Sequence, residues 1–218
     1  MTPTRARNWA YAAAAAGVIA NALFIAFYAS FALQHGTEPR GAAAFLGSAA
    51  DYAGIPQNAL RAVITVVVFR FLSPQQRSDQ VLRIAGATAF ATATACGVLT
   101  VTGRLGGDVS ALTVGAVLAA TVWLLAIGIR GARLPSPRRA RVARAARLIA
   151  ATVLCSAVVV LTGFAIGVAA VVWAGLIAGC LAWLSIPLWA LAIARVLAPS
   201  RAVPPSPETA AAAHRRDI

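Results

Sequence analysis

Lysine is absent from this chain and acid is scarce, with six Asp and Glu against nineteen basic residues, all of them Arg. Only two histidines occur, His35 and His214, and neither falls in an apolar run, so a transmembrane pair of haem ligands is excluded. The sequence has no H-E-x-x-H, no G-x-S-x-G, no pair of aspartates within an apolar run and no Gly-rich phosphate loop. Intramembrane proteolysis of the usual layouts and self-powered ATP chemistry are therefore not expected. Proton-coupled carriers relay through acids or histidines deep in the membrane, and no such residue falls near the middle of an apolar stretch. No enzymatic activity, metal or cofactor is expected. Cysteine is equally sparing: Cys96, Cys155 and Cys180 are odd in number and lie in apolar runs, which gives no disulfide framework.

Apolar residues are what the chain has in quantity. They make up 60% of it, only 11% is charged, and mean hydropathy is +0.79. Soluble domains carry about twice that share of charge, so this composition belongs in lipid. Apolar stretches at about 9–33, 51–72, 83–103, 110–130, 148–167 and 170–196 each have the length to cross a bilayer core. The fold class expected is all-α, a polytopic transmembrane bundle of six helices over 1–197, followed by a Pro-rich disordered cytoplasmic tail over 198–218. The first stretch is too long for a signal-peptide core and has no A-x-A cleavage site, so it is read as an uncleaved helix.

Arginine positions set the orientation. With the N-terminus inside, sixteen arginines fall on the cytoplasmic side, only Arg40 and Arg104 lie outside, and Arg61 is left within a helix. The chain is thus expected to be N-in/C-in in a bacterial inner membrane. The all-Arg, Ala-rich composition fits a GC-rich bacterial genome. Gly163-x-x-x-Gly167 and Gly175-x-x-x-Gly179 place small residues on facing helices, and the near absence of a connection around 167–170 predicts a tight antiparallel hairpin.

Arg61 is the residue that asks for a function. Counted back from Leu72 it lies about 16 Å along its helix, where an arginine costs at least about 2.5 kcal/mol. No carboxylate shares its depth, since Asp51 is about 15 Å away along the same helix. Asn58 is one turn distant, and Asn21, Thr92, Thr94 and Ser156 are neutral groups of similar depth. Arg61, Asn58 and Asn21 are therefore expected to form a polar layer, either a site for a small anion or a structural clasp. The alternative starts helix two at Gly54-Ile55-Pro56, with Pro56 in its first turn, which lets Arg61 snorkel outward toward Asp51.

A second feature is the segment RGARLPSPRRARVARAAR, which holds seven arginines and no acid. Ser136 can cap and Pro137 can open a helix here, leaving Arg138, Arg141, Arg144 and Arg147 at every third position. Such a stripe suits anionic lipid headgroups, so membrane lipids are the expected partners, together with a protein partner or a second copy. Nucleic acid is not expected, because aromatics are not interleaved with the charges.

Ser48-x-x-Asp51-x-x-Gly54, the run ending Arg70-Phe71-Leu72-Ser73-Pro74, and Leu134-Pro135 before helix five together resemble a class of bacterial six-helix integral membrane proteins of unknown function. That resemblance implies the six-helix count and brings no activity with it. The function expected is a non-enzymatic accessory, assembly or envelope component. The rival is a carrier or binding protein for a small, anionic solute held by Arg61.

Overall fold

The computed structural model describes residues 2–34, 39–72, 77–103, 109–131, 134 and 136–198, and side chains within them other than those of 67–79 and 109–114. The order of elements is α1 (Pro3–Ala32), α2 (Ala42–Leu72), α3 (Arg77–Val101), α4 (Val109–Gly131), α5 (Pro137–Ala165), α6 (Ala169–Leu184) and α7 (Ile186–Val196). Among the described residues there is no strand. Among the described residues, four runs are long and apolar enough to cross a membrane: Pro3–Ala32, Gln80–Val101, Pro137–Ala165 and Ala169–Val196. The last of these contains both α6 and α7, so seven helical segments form six rods.

Local chemistry sets the ends. Thr2 caps α1 through its hydroxyl, which accepts from the Arg5 N–H at 3.4 Å, and Pro3 opens the first turn. Gly167, at φ +68°, ends α5. There the Val168 N–H donates to the Gly163 carbonyl and the Gly167 N–H to that of Phe164, a Schellman closure that needs a left-handed residue. The rod of α6 and α7 breaks at Ser185. Pro187 has no N–H to give to the Trp183 carbonyl and its ring crowds that group, while the Ser185 hydroxyl turns back to the Ala182 carbonyl at 2.6 Å.

Neighbouring rods run antiparallel. Gly47 faces Phe27, Gly97 faces Ile55, Gly86 faces Trp123, Gly128 faces Arg147 and Gly163 faces Val172. Each helix packs on the next, and α1 against α7 closes the ring. Close approach comes from small residues. On α1 the buried positions are Ala6, Ala10, Ala13, Ala14, Gly17 and Ala20, a stripe at helical spacing that lets backbones touch. Phe90, Trp123, Leu124, Trp189 and Ile193 fill the centre over these alanines, in the half of the bundle nearer the N-terminus of α1. The outward faces stay apolar: Val18, Ile19 and Ile25 on α1, Val81 and Ile84 on α3, Leu161 on α5, and Trp173 and Leu181 on α6 are exposed.

Several expectations need correction. Helix two begins at Ala42 and not at Asp51, so Pro56 lies inside it and the start at Gly54-Ile55-Pro56 is excluded. The helix expected to open at Pro137 does so, but it is not separate from the expected span at 148–167: α5 runs unbroken from Pro137 to Ala165. Ser136 sits at the N-cap, but its side chain makes no capping bond. The hairpin of α5 on α6 is as expected. A Cβ on Gly163 would meet the Val172 nitrogen at 2.7 Å, and one on Gly175 the Ser156 carbonyl oxygen at 2.9 Å. The expected tail lies outside the described residues beyond Ala198, as do His35, Ser73, Pro74, Arg104, Asp108, Arg133 and Pro135.

Candidate functional site

Side chains on a helix lean toward its N-terminus, so Arg61 reaches from its Cα along α2 toward Asn58 and Gln57. Its guanidinium lies over the Trp183 ring, with Cζ 4.8 Å from the ring centroid. Nη1 donates to Asn58 Oδ1 at 3.5 Å, the long limit of a hydrogen bond. Arg61 is only 5% exposed, and its Nη2 has no hydrogen-bond partner within the protein. The dominant neighbour is therefore an aromatic face, which offers a desolvated cation about 2 kcal/mol. A void of about 10 Å3 beside Arg61, lined also by Ile64, Phe90 and Pro187, has room for one water molecule.

The expected polar layer is assembled only in part. Arg61 and Asn58 meet, whereas Asn21 turns to α6, where its Nδ2 donates to the Leu184 carbonyl at 3.1 Å beside the break. Thr94 and Ser156 return their hydroxyls to their own helices, on the carbonyls of Phe90 and Val153. Thr92 is exposed. Asp51 does not pair with Arg61, and the snorkelling geometry is absent, because the Arg61 head is buried under Trp183. What the residue pattern did not reveal is Trp183. A buried cation with no carboxylate at its depth calls for an aromatic face, and Trp183 stands four residues before Pro187, at the break where α1 and α6 converge.

Above this contact, toward the C-terminal end of α1, five helices enclose a cavity of about 330 Å3. Asn21 and Phe24 line it from α1, Asp51, Gly54 and Gln57 from α2, and Cys180 and Trp183 from α6. Arg61 does not line it. Gln57 is 6% exposed and its Nε2 has no hydrogen-bond partner within the protein. Gly17 permits this geometry, since a Cβ there would lie 2.6 Å from Pro187 Cγ and 3.5 Å from Gln57 Nε2.

The arginine stripe divides. At 100° per residue, Arg138 and Arg147 lie about 180° apart on α5. Arg138 and Arg141 join Arg195 of α7 around a surface groove of about 520 Å3, floored by Val142, Leu188, Leu191, Ala192 and Val196. The Arg147 backbone instead packs on Gly128 of α4, with its side chain exposed, and Arg144 is exposed outside the groove. Among the described residues no His, Cys, Asp and Glu converge to hold a metal ion. Comparison with protein-family models, with curated proteins and with solved structures returned no match.

Proposed function

We propose that this chain is a polytopic protein of the bacterial inner membrane, N-in/C-in, acting as a non-enzymatic accessory or assembly component. The observation that carries the reading is the distribution of surface. Apolar side chains cover the outward faces of α1, α3, α5 and α6, while Arg5, Arg138, Arg141, Arg144 and Arg195 gather at the ends of helices that meet on one side of the ring. Lipid accepts the first, and the cytoplasmic positive-inside bias accounts for the second. The resemblance to bacterial six-helix membrane proteins bears on the helix count alone. The groove of Arg138, Arg141 and Arg195 over apolar side chains suits an anionic lipid, with its headgroup at the arginines and an acyl chain along Leu188 and Leu191.

Arg61 acts in this reading as a clasp between α2 and the break in the last rod. A small anion held by Arg61 is the weaker reading, because the only space touching that side chain among the described cavities is of single-water size. The test is extraction and migration. The chain should stay with membranes through alkaline washing and, in mild detergent, migrate as an assembly larger than one copy. Release by alkali would refute the membrane assignment, and migration as a bare monomer would refute the assembly role.

A further inference from the structure

The groove between α5 and α7 gathers more positive charge than one lipid phosphate can take up. The Trp189 indole N–H donates to the Val142 carbonyl at 3.0 Å, a buried bond that fastens α7 to α5 at the groove floor. α7 continues the direction of α6, which returns antiparallel on α5, so the two walls of the groove run in opposite directions. From that bond toward the end where α5 begins and α7 stops, Arg141 stands one residue along, Arg138 four and Arg195 six, the last about 9 Å along the axis. Side chains lean toward the N-terminus of their own helix. Arg138 and Arg141 therefore lean outward along the groove and Arg195 leans inward from the opposite wall, which brings the three guanidinium groups within about two helical turns.

All three arginines are exposed, and among the described residues none has a hydrogen bond or ion pair. No acid is among the residues that line the groove. A phosphodiester offers two non-bridging oxygens, which one guanidinium fork can fill and two can share. A third arginine finds no oxygen left and keeps its charge uncompensated beside apolar side chains. Two phosphates on a short bridge remove that excess, one between Arg141 and Arg195 across the groove and the other at Arg138, one turn away. On α7, Leu191 and Leu188 follow one and two turns inward of Arg195, where acyl chains have an apolar floor. From this juxtaposition we infer that the groove selects a lipid carrying two phosphates over the single-phosphate lipids around it. The inference rests on the reading of the groove as an anionic-lipid site and names the lipid class.

The test is native mass spectrometry of the full chain released from micelles doped with equal amounts of lipids of matched acyl chain. Phosphatidylethanolamine is the zwitterionic control and phosphatidylglycerol carries one phosphate. Phosphatidylglycerol phosphate carries two phosphates on two chains, and cardiolipin two phosphates on four chains. Both two-phosphate lipids should be retained about fivefold over phosphatidylglycerol, the increment of one further arginine contact. That ratio should fall to about one when Arg138→Gln, Arg141→Gln and Arg195→Gln are combined, and Arg144→Gln should leave it unchanged. Arg138→Gln with Arg195→Gln, which leaves a single arginine in the groove, serves if the triple variant does not accumulate. Equal retention of the three anionic lipids would overturn the proposal. So would an advantage for cardiolipin alone, which traces to its acyl chains, or an advantage that survives the arginine replacements. Retention of no anionic lipid above phosphatidylethanolamine would refute the lipid-groove reading itself, and the proposal with it.

Discussion

If the Trp183 face is what makes a buried arginine tolerable in α2, the two residues should be energetically coupled in a direction that packing alone does not give. Trp183→Leu removes the ring over the guanidinium and leaves Arg61 with one long hydrogen bond to Asn58. Arg61→Met removes the charge and keeps most of the volume. A buried ionic group replaced by a well-packed apolar one is often neutral or stabilising by about 1–4 kcal/mol, so Arg61→Met should not weaken the bundle. Loss of Trp183 packing is common to both backgrounds and cancels in a double-mutant cycle. What remains is the cation–ring interaction, about 2 kcal/mol for a desolvated pair. The assay is reversible unfolding of all four proteins in mixed micelles, followed by circular dichroism. Trp183→Leu should cost about 2 kcal/mol more with Arg61 present than with Met at that position. Coupling below about 0.5 kcal/mol, the range of independent sites, would refute the clasp.

Three further outcomes follow from the packing. Gly17→Ala drives a Cβ against the rigid Pro187 ring and should destabilise by about 1–3 kcal/mol, whereas Gly54→Ala, with open space, should gain about 0.5–1 kcal/mol; the same unfolding assay ranks them. Asn21→Leu removes the donor to the Leu184 carbonyl and should cost about 0.6–1.7 kcal/mol, the membrane range for such bonds. Replacing Arg138, Arg141 and Arg195 by Gln should weaken retention of phosphatidylglycerol in native mass spectrometry by roughly fivefold per arginine, with Arg144→Gln and Arg147→Gln having less effect because they lie outside the groove.

Much of the architecture was legible because long apolar helices leave a direct trace in the sequence. Length and hydropathy mark the apolar runs, and small residues at helical spacing mark the α5–α6 hairpin. The start of helix two was misread because its apolar run was marked from about Asp51, whereas the helix begins at Ala42. Once the helix is extended to Ala42, the same acid stands more than two turns inside it, exposed, at the edge of a cavity. Pro56 misled in the same way, since a proline within a long helix and one in a first turn look alike until the preceding turns are seen to form. At the site, Arg61 and Asn58 could be paired by their one-turn spacing. Trp183 and Gln57 could not be found, because the contact is made across helices whose mutual rotation no single-helix pattern encodes. The arginine stripe was legible as a charge pattern, but three-residue spacing drifts around a helix. Only the packing of α7 shows that Arg195, and not Arg144 or Arg147, completes the groove.

The most direct test of the whole account is topology. Reporter domains that are active on only one side of the membrane would be fused after Leu33, Leu72, Gly103, Gly131 and Gly167, and at both termini. The account requires strict alternation, with both termini and the fusions after Leu72 and Gly131 cytoplasmic and the other three external. Two neighbouring fusions reporting the same side would remove a span from the ring and contradict the six-rod bundle.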